Sequence, residues 1–152
     1  ATIGAIFLTV HGEREILRAA VAGRGSSDLK ILCVTVLTNL DQPALLEMGY
    51  AGTVQDLVLQ RALMAKDAGC DGVIASGSEA ARLRAALGPG MLIVTPGIRP
   101  SGSSADDQKR VMTPAQALRA GADYLVAGRP ILKAPDRRQA ALSILAEMRS
   151  AM

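Results

Sequence analysis

Five short apolar runs limit the architecture of this chain more than any other feature: residues 5–10 (AIFLTV), 31–37 (ILCVTVL), 72–75 (GVIA), 91–94 (MLIV) and 124–127 (YLVA). Each is continuously apolar instead of alternating, the pattern of a strand buried on both faces, as in a parallel sheet. The segments between them carry helix punctuation. Thr53, followed three residues later by Asp56, opens a helix that reaches about Ala68 and stops at Gly69. Thr113-Pro114-Ala115-Gln116 combines a capping hydroxyl, a proline at the first helical position and a glutamine able to reach back, with Gly121 to end the helix. From Asp136 onward, Ala141, Ile144, Leu145 and Met148 share one helical face, so a last helix is expected to cover the sheet. Five alternating units predict an α/β protein with a parallel sheet. An open doubly wound sheet and a (β/α)8 barrel are both built from such units. On length alone the open sheet is the default, because a closed barrel takes about 250 residues.

At 152 residues the chain supports one core of ordinary size, and a single domain over 1–152 is expected. Aromatic residues are only 2% of it, so that core must be built from Ala, Val, Leu, Ile and Met. The same scarcity leaves no platform on which bases could stack, and the net charge of +3 comes from scattered cations, so nucleic acid is not an expected partner. Cys33 and Cys70 lie within apolar runs without metal-ligand spacing and are read as reduced core thiols; no metal is expected. No segment approaches the roughly 18 apolar residues of a membrane span, and no signal peptide is evident, so the expected location is the cytoplasm.

In either α/β architecture a ligand site forms at the C-terminal ends of the strands. His11 follows the first run, Thr38-Asn39 the second, Ser76-Gly77 the third, Thr95 to Arg99 the fourth, and Gly128-Arg129-Pro130 the fifth. His11 is the only histidine and has no Cys or Ser partner in a nucleophile motif, so a hydrogen-bonded structural role stands beside a catalytic one. Ser76 is either a helix cap or a ligand group, and Thr38 either a turn residue or a contact. Gly128 removes a side chain where a ligand can approach backbone N–H groups, and Arg129 supplies a planar fork suited to an oxyanion. With Arg99 after the fourth run, these residues point to a phosphate. Residues 97–112 show neither helical nor strand period, yet carry Gln108, Lys109 and Arg110; a segment of this length between two strand ends is read as a closing phosphate lid.

These motifs carry a family resemblance. LTVHG at 8–12, VTVLT at 34–38, DGVIAS at 71–76, VTPGIRP at 94–100 and DQKRVMTPAQALRAGADYLVAGRPI at 107–131 resemble the orotidine 5'-monophosphate decarboxylase family in order and spacing. The resemblance covers essentially the whole chain. It implies a TIM-type (β/α)8 barrel in place of an open sheet, with about five parallel β-α units present. It implies conversion of orotidine monophosphate to UMP and CO2 in pyrimidine synthesis, with no metal or organic cofactor, in a homodimer. Position by position, it implies that Arg99, Gln108 and Arg129 bind substrate, with Gln108 and Arg129 on the phosphate and the Gly128 N–H beside them. Ser76 matches the serine that hydrogen-bonds the pyrimidine, and Thr38 a threonine at the substrate site near the subunit boundary; His11 and Pro96, beyond strand ends, are candidates for lining the site. Where the family commonly has other residues, this chain has Gly12, Asn39 and Gly77.

The family's catalytic array is not found in these residues. It takes the form D-x-K-x-x-D, with a further Asp and Lys on neighbouring strands. Of Lys30, Lys66, Lys109 and Lys133, none has aspartates both two before and three after it. No catalytic residue is therefore assigned, because no lysine is placed to protonate the carbanion left by CO2. The resemblance aligns these 152 residues with the last five of eight barrel units. Two unpaired sheet edges are expected to make such a portion self-associating or poorly stable.

Overall fold

The computed structural model describes residues 4–100 and 112–151. Its strands are β1 (Phe7–His11), β2 (Lys30–Val34), β3 (Gly72–Ile74), β4 (Leu92–Thr95) and β5 (Tyr124–Leu125), joined by α1 (Arg14–Arg24), α2 (Gln42–Glu47), α3 (Val54–Asp67), α4 (Gly77–Leu87) and α5 (Pro114–Arg119). The chain continues into α6 (Arg129–Leu132) and α7 (Arg137–Arg149). All four strand pairings are parallel, and the order in the sheet is the order in the sequence. A doubly wound sheet needs a point where strand order reverses, and this sheet has none. With right-handed crossovers, an unreversed order places every connecting helix on one face, as in a barrel wall.

Registry separates the two faces. Val10, Cys33, Val73 and Ile93 form one cross-strand row and pack with Leu17, Val58, Ala62, Leu83 and other helix residues in the main core. Ile31, Cys33, Val73 and Ile93 are fully buried there, a large side chain so placed contributing about 1.5–3 kcal/mol over its exposed state. The other face carries Thr9, Leu32, Gly72 and Leu92, then His11, Val34, Ile74, Val94 and Tyr124. On this second face Leu32, Gly72 and Val94 are buried while Val34, Ile74 and Leu92 are half-buried. The continuous apolarity of β2 to β4 therefore matches full burial against the helices and partial burial on the other side. The outer strands differ, because each has an unpaired edge in the sheet: Leu8 and Tyr124 are each over two-fifths exposed.

The helix signals form as read. Thr53 caps α3, its hydroxyl accepting from the Asp56 N–H at 3.1 Å, and Gly69 turns the chain away with φ +83°. Thr113 and Gln116 make a reciprocal capping box at the start of α5. Asp136 caps α7 by accepting from the Gln139 N–H at 2.9 Å. That last helix covers the sheet incompletely. Ile144 is buried, while Leu145 is 45% exposed, and an open apolar groove of about 380 Å³ separates Ala141, Leu145 and Met148 from Tyr124 and Leu125. Two short helices, α2 and α6, lie in stretches where no helix was expected.

Candidate functional site

Parallel strands bring all their C-terminal ends to one rim, so topology alone gathers the residues singled out there. His11 ends β1 and is exposed. Thr38 is half-buried inside a turn closed by the Leu40 N–H on the Leu37 carbonyl at 3.0 Å. The apolar run that predicted a strand to Leu37 leaves the sheet at Val34. Thr35, fully buried, instead turns its hydroxyl onto the Ile74 carbonyl at 2.8 Å.

Past β4, Gly97 has φ +76°, a left-handed conformation that glycine adopts without a Cβ clash. Ile98 then pairs with Met112 in a parallel bridge, in which the Arg99 N–H donates to the Met112 carbonyl at 2.9 Å. Arg99 is buried, and its Nη1 donates to the Ile98 carbonyl at 2.9 Å. Pro96 is half-buried. The two ends of the segment read as a lid are thus held together. Gln108, Lys109 and Arg110 lie outside the described residues, and the lid reading with them. Beyond β5, Gly128 is exposed, with open space where a Cβ would stand. Arg129 is half-buried and opens α6, followed by Pro130 in the first turn.

Ser76 is both capping residue and rim residue. It is 1% exposed, and its Oγ accepts from the Ser78 N–H at the start of α4. Beside it lies a group that the sequence reading passed over. Glu79, 2% exposed, accepts from the Ser78 hydroxyl at 2.9 Å, and the hydroxyls of Ser76 and Ser78 are 3.0 Å apart. The signal available in the sequence was the S-x-S-E spacing at a helix start. Arg61, inside the apolar face of α3, was also passed over. It donates to the Thr35 carbonyl and to the Tyr50 hydroxyl, and its guanidinium stands 5.6 Å from the Tyr50 ring centre. It borders a cleft of about 220 Å³ shared with His11, Glu13 and Thr35.

The description "Orotidine 5'-phosphate decarboxylase / HUMPS family" applies to a family model that matches residues 1–144. The chain belongs to this family. It is 55% identical over 154 residues to an orotidine 5'-phosphate decarboxylase of Methylobacterium sp., covering 99% of this chain and 65% of that protein. It is 54% identical over 148 residues to one from Rhodopseudomonas palustris, covering 97% of this chain and 63% of that protein. The crystal structure of orotidine 5'-phosphate decarboxylase from Lactobacillus acidophilus superposes with a TM-score of 0.78 at 36% identity, over 95% of this chain and 64% of that one. The chain thus spans a little under two thirds of the length of these relatives, and its five-stranded sheet is part of the family's barrel.

Two of this family member's glycines have a steric reason. A Cβ on Gly12 would stand 3.0 Å from both Arg61 Cδ and the Val34 carbonyl oxygen. One on Gly77 would stand 2.5 Å from Met112 Sδ. The first glycine makes room for the Arg61 arm, the second for the residue bridged to Ile98. Among the described residues, no group of three or more His, Cys, Asp or Glu side chains gathers as a metal site, and no helix is long and apolar enough to cross a membrane.

Proposed function

We propose that this chain is the nucleotide-gripping part of an orotidine 5'-monophosphate decarboxylase, an enzyme of pyrimidine synthesis that releases CO2 from orotidine monophosphate to leave UMP. Identity of about 55% to enzymes of that name, over nearly every residue present, carries the reading. The unreversed strand order supports it by giving Thr38, Ser76, Arg99, Gly128 and Arg129 a common rim. Arg129 and Gln108 hold the phosphate, with the Gly128 N–H beside them, and Arg99 completes the substrate contacts. Ser76 meets the pyrimidine, Thr38 lies towards a second subunit of a homodimer, and His11 and Pro96 line the site. No metal or organic cofactor is needed, and the cytoplasm is the expected compartment. Binding energy from the remote phosphate orients the ring and helps exclude water at the reacting carbon.

Loss of CO2 leaves an electron pair on the ring carbon, which needs a proton donor, and the D-x-K-x-x-D array that would supply one is not found in these residues. A second reading takes these residues as a non-catalytic nucleotide-binding or assembly module derived from that barrel. Calorimetric titration with UMP and a decarboxylation assay on orotidine monophosphate test both. Binding of UMP without turnover is expected from this chain alone. Turnover by this chain would overturn the assignment of the missing proton donor, and failure to bind either nucleotide would overturn the site.

A further inference from the structure

We infer that Glu79 is a positioning residue that, through Ser78, fixes the Ser76 hydroxyl as a hydrogen-bond acceptor towards the ligand. The inference rests on the proposed role of Ser76 at the pyrimidine. A serine hydroxyl has one proton and two lone pairs, whereas a carboxylate can only accept. The Ser78 hydroxyl gives its single proton to Glu79 Oε1 at 2.9 Å. The hydrogen bond between the two serine oxygens, 3.0 Å apart, must then use the proton of Ser76. Proton direction along the chain is therefore Ser76 to Ser78 to Glu79.

With its own proton committed, Ser76 retains only acceptor capacity. One lone pair faces the Ser78 N–H at 3.4 Å, and one remains for a ligand. Burial of Ser76 and Glu79 keeps water from competing at the two ends of the relay, while Ser78 between them is exposed. The Glu79 N–H on the Ser76 carbonyl at 3.0 Å closes the same turn and keeps the three residues in reach of one another. A preset acceptor favours a ring edge that presents N–H. Uracil and orotate carry an N–H at ring position 3, and cytosine carries a bare acceptor nitrogen there. The relay thus selects the imide edge.

Ser78 is exposed, so Ser78→Ala removes the relay with little risk to folding. Affinities for UMP and CMP are measured by titration on wild type, Ser78→Ala, Glu79→Gln and Ser76→Ala, with thermal unfolding of each. The UMP-to-CMP affinity ratio is expected to narrow roughly three- to tenfold in Ser78→Ala, the weight of one neutral hydrogen bond, because the freed Ser76 proton can then turn to the cytosine nitrogen. Narrowing is also expected in Glu79→Gln, whose amide can reverse the chain. An unchanged ratio in Ser78→Ala, or an equal loss for both nucleotides, would overturn the relay. Unchanged UMP affinity in Ser76→Ala would instead overturn the role of Ser76, and lost affinity in Ser76→Ala with an unchanged ratio in Ser78→Ala would refute the relay alone.

Discussion

The rings of Phe7 on β1 and Tyr124 on β5 meet edge to face, their centres 5.2 Å apart and their planes at 71°. These residues belong to the first and last strands of the sheet, four strand spacings from each other. Laid flat, that separation would be about 19 Å, so the contact requires a strongly curled sheet. The stagger fits a barrel as well. The registry row of Tyr124 runs through Val94, Ile74 and Val34 to His11, four residues beyond Phe7. One residue of stagger per strand is what an eight-stranded barrel of shear 8 has.

A double-mutant cycle on Phe7→Leu and Tyr124→Leu measures whether that curl is held in solution. An edge-to-face pair contributes about 0.5–1.5 kcal/mol beyond its buried area, and a coupling of that size is expected in denaturant unfolding. Strictly additive effects would mean that the outer strands do not approach each other.

The rim at the N-terminal ends of the strands carries a device that occurs twice. Asp71, just before β3, accepts from the Ile31 N–H at 2.8 Å and pairs with Arg24 from α1. Asp123, just before β5, accepts from the Ile93 N–H at 2.7 Å and pairs with Arg84 from α4. Arg84 also donates to the carbonyls of Gly88, Met91 and Gly121. Arg84→Met, which retains much of the apolar arm, is expected to cost about 1–3 kcal/mol by leaving partly buried carbonyls and a carboxylate without their donor. Urea unfolding would read this as a lower midpoint at unchanged slope. Arg82→Met is the control, since Arg82 makes only an exposed pair with Asp56, expected to contribute under about 1 kcal/mol.

How far this architecture is visible in the sequence differs between its parts. Helix boundaries at Thr53, Gly69, Thr113 and Asp136 are local chemistry between residues a few positions apart, and they formed where expected. The choice between an open sheet and a barrel was not local. Both use the same β-α units, and strand order decides between them through pairings such as Val10 with Cys33. Gly72 shows the same limit. In the sequence it is one small residue in GVIA, yet a Cβ there would stand 2.5 Å from the Leu92 carbonyl oxygen, a neighbour twenty residues away that cannot swing aside. At the rim, Gly128 and Arg129 were evident as a turn-and-cation motif, whereas Glu79 gained meaning only once its burial and its link to Ser78 were known.

Burial, the neighbouring Cys70 thiol and a smaller opposing pull from Arg61 together push the Cys33 thiol from its usual 9.0 up to about 12. Because the folded state then binds the proton more tightly than the unfolded chain, stability is fully present below about pH 9. It declines as pH rises towards 12. Two results are expected. Thiol labelling of Cys33 near pH 8 should be about a hundredfold or more slower than in the unfolded chain, since access requires opening. Stability should fall between about pH 9 and 11, and fall less in Cys33→Ala. Rapid labelling under native conditions would contradict the buried position of Cys33 in the row with Val10 and Val73.

Arg129 offers the most direct test of the phosphate assignment. It stands half-buried at the first position of α6, next to a glycine with open space around it, on the rim that the parallel strands share. A guanidinium fork on a phosphate makes two charge-assisted hydrogen bonds, each worth about 1.5–3 kcal/mol, so Arg129→Ala should weaken UMP binding by roughly 10²-fold or more. Arg129→Lys keeps the charge and loses the fork, and should fall between the two. Uridine, which has no phosphate, separates this contact from any damage to the base pocket: its weaker binding should be the same in wild type and Arg129→Ala. Equal losses for UMP and uridine would mean that the arginine supports the rim without touching the ligand, and no loss for either would remove it from the site.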